Sequence, residues 1–188
     1  MYRQTLSIAA VLAAALLTPP AASEGSPPAW EWSHPLPQGN AIEAVWASSA
    51  GVLFAVGRKG TALRYDGAEW SGLSCPPDYF LYGVWGTGEE QVFAVGYQDL
   101  GESIRSVALL FDGQGWSRMT APGSYLNAVW GSAANDIFAV GNRNSILHYD
   151  GAAWAETPGN LGNAELKGVW GASGTDVFAV GRSGTIVH

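Results

Sequence analysis

Three observations predict an all-β fold in which short four-stranded antiparallel sheets stack radially. First, a Val-Trp pair followed by Phe-Ala-Val-Gly occurs four times. The copies are Val45-Trp46 with Phe54-Ala55-Val56-Gly57, Val84-Trp85 with Phe93-Ala94-Val95-Gly96, Val129-Trp130 with Phe138-Ala139-Val140-Gly141, and Val169-Trp170 with Phe178-Ala179-Val180-Gly181. Second, the four tryptophans stand 39, 45 and 40 positions apart. Third, three copies continue into a second half, with Asp66-Gly67, Asp112-Gly113 and Asp150-Gly151 each followed by a tryptophan, at 70, 116 and 154. A period of about 40 residues built from short apolar runs and glycine turns, without 3.6-residue periodicity, is that of a β-propeller. One four-stranded sheet cannot bury both its faces, and radial stacking hides them.

The unit at 126–154 justifies each strand in order. Leu126 to Trp130 alternates, with Leu126, Ala128 and Trp130 on one face. Ile137 to Val140 is apolar throughout, as a strand covered on both sides is. Ser145 to Tyr149 forms the third strand, Asp150-Gly151 is a hairpin turn signal, and Trp154 marks the fourth strand. The tryptophans of strand one are expected to pack between sheets, where a large aromatic ring fills the seam.

The Phe-Ala-Val-Gly and Tyr-Asp-Gly-x-x-Trp order resembles kelch-type repeats. It is also similar to the photosystem II stability-factor-like and Asp-box (neuraminidase-type) repeats often found in secreted bacterial proteins. The resemblance spans nearly all of the chain beyond residue 30. It departs from kelch in having one glycine after strand two, and from the Asp-box in the Asp-to-Trp spacing of four.

Residues 1–23 read as a cleaved signal peptide: Arg3, an apolar run from Leu6 to Leu17, and Ala21 and Ser23 at the small-residue positions of the cleavage site. That run falls short of the roughly 20 apolar residues that span a bilayer, and no later segment of the mature chain would cross one. The expected location is secreted, periplasmic or cell-surface. Residues 24–29 read as a flexible leader and 30–188 as the repeats. The blades cover about 41–71, 80–117, 125–155 and 165–188. Residues 30–35 repeat the fourth-strand pattern as an orphan strand. A closed ring of four blades and part of a larger ring both satisfy this count.

The net charge of −7 disfavours a general attraction to nucleic acid. The single Cys75 forms no internal disulfide and is expected to be a loop thiol without a role. His34, His148 and His188 lack metal-ligand spacing, and no nucleophile elbow or phosphate loop is present. Asp66, Asp112 and Asp150 sit a whole blade apart, so they suit their own turns rather than a shared metal. The chain is therefore expected to be non-catalytic, with no metal and no cofactor.

The varied positions point elsewhere. Loops from strand four to strand one and from strand two to strand three share one rim in propellers, and here they differ between copies. Arg58, Lys59, Arg105, Arg143 and Arg182, five of the nine basic residues, are assigned to strand-two to strand-three loops. Seven extra residues within 97–106 are read as an inserted loop in blade two. The second residue of strand one also changes, as Glu43, Tyr82, Asn127 and Lys167. A constant scaffold with one varied rim is a binding surface. The expected function is a secreted binding or interaction propeller that presents this rim to a protein or polysaccharide, with anionic groups drawn to the arginines. A lectin-like propeller stacking sugars on Tyr79, Tyr82, Tyr97 and Tyr125 is the alternative, and a glycoside hydrolase-like enzyme the third.

Overall fold

A computed structural model describes residues 39–48, 51–157 and 162–188, all within the unit Pro35–His188. The expected signal peptide, leader and orphan strand lie outside the described residues. Four sheets follow one another along the chain. Blade one holds β1 (Ile42–Ala47), β2 (Leu53–Gly57), β3 (Ala62–Tyr65) and β4 (Trp70–Gly72). Blade two holds β5 (Tyr79–Gly88), β6 (Gln91–Asp99), β7 (Ile104–Phe111) and β8 (Trp116–Met119). Blade three holds β9 (Leu126–Ala133), β10 (Asp136–Gly141), β11 (Ile146–Tyr149) and β12 (Trp154–Glu156). Blade four holds β13 (Leu166–Ser173), β14 (Asp176–Gly181) and β15 (Ile186–Val187), with a single 3-10 turn, Arg182–Gly184, between the last two. In each sheet consecutive strands pair antiparallel in chain order. The chain is an all-β propeller repeat protein.

The seams between blades explain the repeated residues. Strand-two side chains such as Phe54 and Phe93 are wholly buried because the next blade covers them. Phe54 meets Phe111 at 5.2 Å and Trp116 at 6.5 Å across the first seam, and Phe93 meets Tyr149 at 5.8 Å across the second. The strand-one tryptophans of blades one to three lean on the glycine that follows the next blade's tryptophan. A Cβ at Gly86 would stand 2.9 Å from the Trp46 ring, at Gly131 2.7 Å from Trp85, and at Gly171 2.7 Å from Trp130. Burial of such a ring is the main reason to stack one sheet on the next.

The third seam is leaner. Its fully covered apolar residues are Val140, Leu166 and Ala179. A cavity of about 550 Å³ opens there, lined by Phe138, Val140, Ile146, Val177 and Val187 among others. In blades two and three a Phe111–Trp116 or Tyr149–Trp154 pair fills the corresponding space. Blade four has three described strands.

Two expectations change. Trp170 is 64 % exposed, not packed between sheets, and Val45 of blade one is 61 % exposed. No described blade covers either, so the described blades form an arc and not a closed four-blade ring. The extra residues of blade two are strand, not loop. Tyr97, Gln98 and Asp99 pair with Ser106, Arg105 and Ile104, so Arg105 lies within β7. Only the tip is a turn, closed by Leu100 N–H on the Ser103 carbonyl at 2.9 Å and by Gly101 N–H on Asp99 Oδ1 at 2.9 Å. Backbone groups raised above the sheet found partners in each other, which a free loop would have left to water.

Candidate binding rim

The glycine that ends Phe-Ala-Val-Gly builds the rim. At each one the carbonyl of the residue before Ile42, Leu81, Leu126 or Leu166 presses on the Cα. A Cβ would lie 2.0 Å from Ala41 O at Gly57, 1.9 Å from Phe80 O at Gly96, 1.8 Å from Tyr125 O at Gly141 and 2.3 Å from Glu165 O at Gly181. The close approach goes with a bulge. Pairing jumps from Ile42 to Ala44, from Leu81 to Gly83, from Leu126 to Ala128 and from Leu166 to Gly168. The residues skipped are Glu43, Tyr82, Asn127 and Lys167. A bulged residue leaves the ladder and its side chain is re-aimed. The varied position of the sequence is thus a bulge in all four blades.

The turns between strands two and three share this rim. The amides of Arg58, Asn142 and Arg182 donate to Ala41, Tyr125 and Glu165 at 3.0 Å each, tying turn to bulge. Positive φ at Lys59 and Gly60, at Arg143 and Asn144, and at Ser183 and Gly184 marks a two-residue I′ turn in blades one, three and four. Gly60 N–H donates to Tyr79 O at 2.7 Å and Asn144 N–H to Ala164 O at 3.0 Å, so the same turn also binds the next blade. The basic residues therefore fall into two sets. Lys59 and Arg143 stand at the exposed turn tips, while Arg58 and Arg182 open their turns beside the bulges.

Each blade brings two or three side chains together, and the stripe changes character along the arc. In blade one Arg58 Nε donates to Glu43 Oε1 at 2.6 Å, and that bond holds the guanidinium pKa above its ordinary value. In blade two Tyr97 lies parallel to Phe80 at 5.0 Å and near-parallel to Tyr82 at 5.9 Å, and meets Tyr125 of blade three edge-on at 4.6 Å. Burial first, then the neighbouring phenols, push Tyr97 up to about 12. In blade three Asn127 Nδ2 donates to Asn142 Oδ1 at 2.8 Å and to Leu166 O at 2.6 Å. In blade four Lys167 Nζ reaches Asn142 Oδ1 at 3.0 Å and Glu165 at 3.6 Å, and Arg182 Nε reaches Glu165 at 3.0 Å.

Several expectations shift here. The rim is not a bare basic patch, because Glu43 and Glu165 stand against Arg58, Lys167 and Arg182 and cancel field. Tyr79 is buried, takes Arg118 Nη1 on its hydroxyl at 3.2 Å and lies under its guanidinium, so it offers no face to a ligand. Arg118 also donates to Gln98 Oε1 at 2.6 Å and Ser106 O at 3.0 Å, and Gln98 donates to Asp78 at 2.7 Å; together these bonds fix the raised hairpin. Phe80 was not among the sequence candidates. Its signal is that it occupies the place of Ala41, Tyr125 and Glu165, one residue before the buried leucine in three of the four blades. Cys75 is a half-buried free thiol, pushed up by burial to about 11, so it stays protonated at neutral pH. Among the described residues no group of three or more His, Cys, Asp or Glu is placed to hold a metal. No described helix is long and apolar enough to cross a membrane.

No family model and no curated protein matches the chain. Solved structures do. YCF48 from Cyanidioschyzon merolae superposes with a TM-score of 0.60 at 13% identity, over 77% of this chain and 49% of that one. A structure titled YCF48 bound to D1 peptide superposes with a TM-score of 0.62 at 14% identity, over 78% and 50%. The chain thus spans about half the length of these propellers. At such identities the likeness is one of fold, and it agrees with the blades, seams and bulges in making this chain a β-propeller repeat array.

Proposed function

We propose that this protein is a non-catalytic propeller that binds a partner protein along the stripe of bulged residues. The observation that carries the reading is the bulge itself: one position per blade is released from the ladder, faces the rim, and differs in every blade. Tyr82, Tyr97 and Tyr125 form its centre with Phe80. They are half-buried and held ring against ring, so little side-chain entropy remains to be lost on binding. Hot spots favour such rings. That a structure of YCF48, by its title, holds a peptide makes peptide capture a known use of this fold. The sugar-stacking alternative is weakened because Tyr97 already has rings on three sides.

The non-catalytic part rests on chemistry. Among the described residues Ser132, Asp136 and His148 come together, with the hydroxyl donating to Asp136, which also holds His148 Nε2 at 2.7 Å. The hydroxyl meets the Asp136 carboxylate, a weak base whose pKa is lowered by that bond, and not the imidazole, so the Ser–His pair that activates a serine nucleophile is not formed. The N-terminal pattern supports export of the chain, and the repeat order supports a place near the stability-factor-like and Asp-box propellers. Rim arginines support a partner segment with anionic groups, an acidic polymer included.

The test is selection of random dodecapeptides on the intact protein, followed by binding of the enriched peptides to a Tyr82→Ala, Tyr97→Ala double variant. Enriched peptides should lose at least about thirtyfold in affinity, as hot-spot truncation does. No enrichment, or equal binding to the variant, overturns the reading.

A further inference from the structure

The two rim arginines that open turns are held in the same way. Arg58 is fixed through Nε by Glu43 at 2.6 Å, and Arg182 through Nε by Glu165 at 3.0 Å. In each case the bond uses the inner edge of the guanidinium. Nη1 and Nη2 of Arg58 carry no bond among the described residues. That outer edge is a planar pair of donors whose spacing matches the two oxygens of a carboxylate.

Their surroundings differ. Arg182 is 71 % exposed, and its glutamate is shared with Lys167. Arg58, 53 % exposed, opens the turn whose Gly60 N–H donates to Tyr79 O at 2.7 Å, the residue before Phe80 in the half-buried cluster of Phe80, Tyr82, Tyr97 and Tyr125. Phenol hydroxyls donate as well as accept. Glu43 engages Arg58 through Nε alone and leaves the Nη edge to a second carboxylate, and Asp99 on the hairpin side has its Oδ1 on the Gly101 amide. Donors and apolar rings therefore converge at one place.

We propose that the junction of blades one and two is a carboxylate pocket, in which the Nη edge of Arg58 takes one carboxylate of the partner segment and the Phe80–Tyr82–Tyr97 rings take an apolar side chain next to it. This rests on the protein-binding reading and names the group recognised. The carboxylate belongs to a chain terminus or to an Asp or Glu side chain; both present the same two oxygens. Arg182, held alike but without rings, does not select it.

The experiment uses three fluorescently labelled tetrapeptides with the intact protein. Ala-Phe-Ala-Ala is made with an amidated end and with a free end, and Ala-Phe-Glu-Ala with an amidated end. Fluorescence polarisation should show either carboxylate form, or both, binding at least about tenfold more tightly than the neutral peptide; which of the two does so tells terminus from side chain. Arg58→Gln should erase that preference, and Arg182→Gln should leave it. Equal affinity of all three peptides for the parent, or equal loss in both variants, overturns the pocket. If the peptides bind alike and Tyr97→Ala abolishes binding, the stripe stands and the carboxylate pocket falls. Failure of all three to bind removes both.

Discussion

The two rims of the array treat the same kind of problem in opposite ways. On one rim Asp66, Asp112 and Asp150 each accept two backbone N–H bonds at 2.9–3.0 Å on Oδ1 and so close their own turns. The side chain is consumed locally, and it is the same residue in three blades. On the other rim a glycine lets the backbone fold into a bulge, and the bulged side chain is left over. Where backbone alone solves the geometry, the side chain is free to differ. That is why the rim of Glu43, Tyr82, Asn127 and Lys167 carries the variation and the Asp-Gly rim does not.

The largest effect that sharpens this contrast comes from adding one methyl group on each side. Gly96→Ala places a Cβ 1.9 Å from Phe80 O, a backbone atom that cannot rotate away. The bulge must shift, at a cost of about 3 kcal/mol in urea melts. Gly88→Ala, in the β5–β6 hairpin at the opposite rim, meets nothing within 4 Å and should change stability by less than about 0.5 kcal/mol. Equal losses would mean that the bulge is not the constrained element.

A smaller effect is expected at Asn127, whose amide joins blade three to blade four. Asn127→Ala removes its bonds to Asn142 Oδ1 and Leu166 O. The same melts should show about 1 kcal/mol lost. Tyr82→Ala, by contrast, should act on binding far more than on stability, because its role is outward.

At neutral pH the smallest effect belongs to the Asp-Gly rim. The backbone N–H bonds hold the carboxyls of Asp66, Asp112 and Asp150 below their ordinary pKa. A depressed pKa contributes stability above the unfolded value, near 3.8, that disappears as pH falls through the folded value. The triple Asp→Asn variant keeps an acceptor and loses the titration. Its melting temperature should lie slightly below the parent's at pH 7 and fall less than the parent's between pH 4 and 2; parallel curves would refute the assignment.

Much of this was readable in the chain. Phe-Ala-Val-Gly gave strand two, and Asp-Gly followed by Trp gave the last hairpin, because both are local signals. The bulge was not readable, since a single glycine ending a strand looks the same whether it stops pairing or crowds a carbonyl. The Glu43–Arg58 pair, 15 positions apart, was visible only as two separate candidates. Blade two was misread because length alone does not say whether added residues pair. Tyr97 and Ser106 had to be seen opposite one another. Trp170 could not be told from Trp85, as exposure depends on a neighbour and not on the residue.

The tryptophan resting on a glycine also gives the array a direction of growth. Blades one to three each offer a ring forward, and each blade that receives one has a glycine after its tryptophan. Gly86, Gly131 and Gly171 qualify, whereas blade one has Ala47 there. For a protein engineer this makes the blades unequal building parts. Blades two, three and four share the glycine that receives the ring of the blade before. Blade one carries Ala47 at that place, and Ala47→Gly gives it the same bare backbone as the other three.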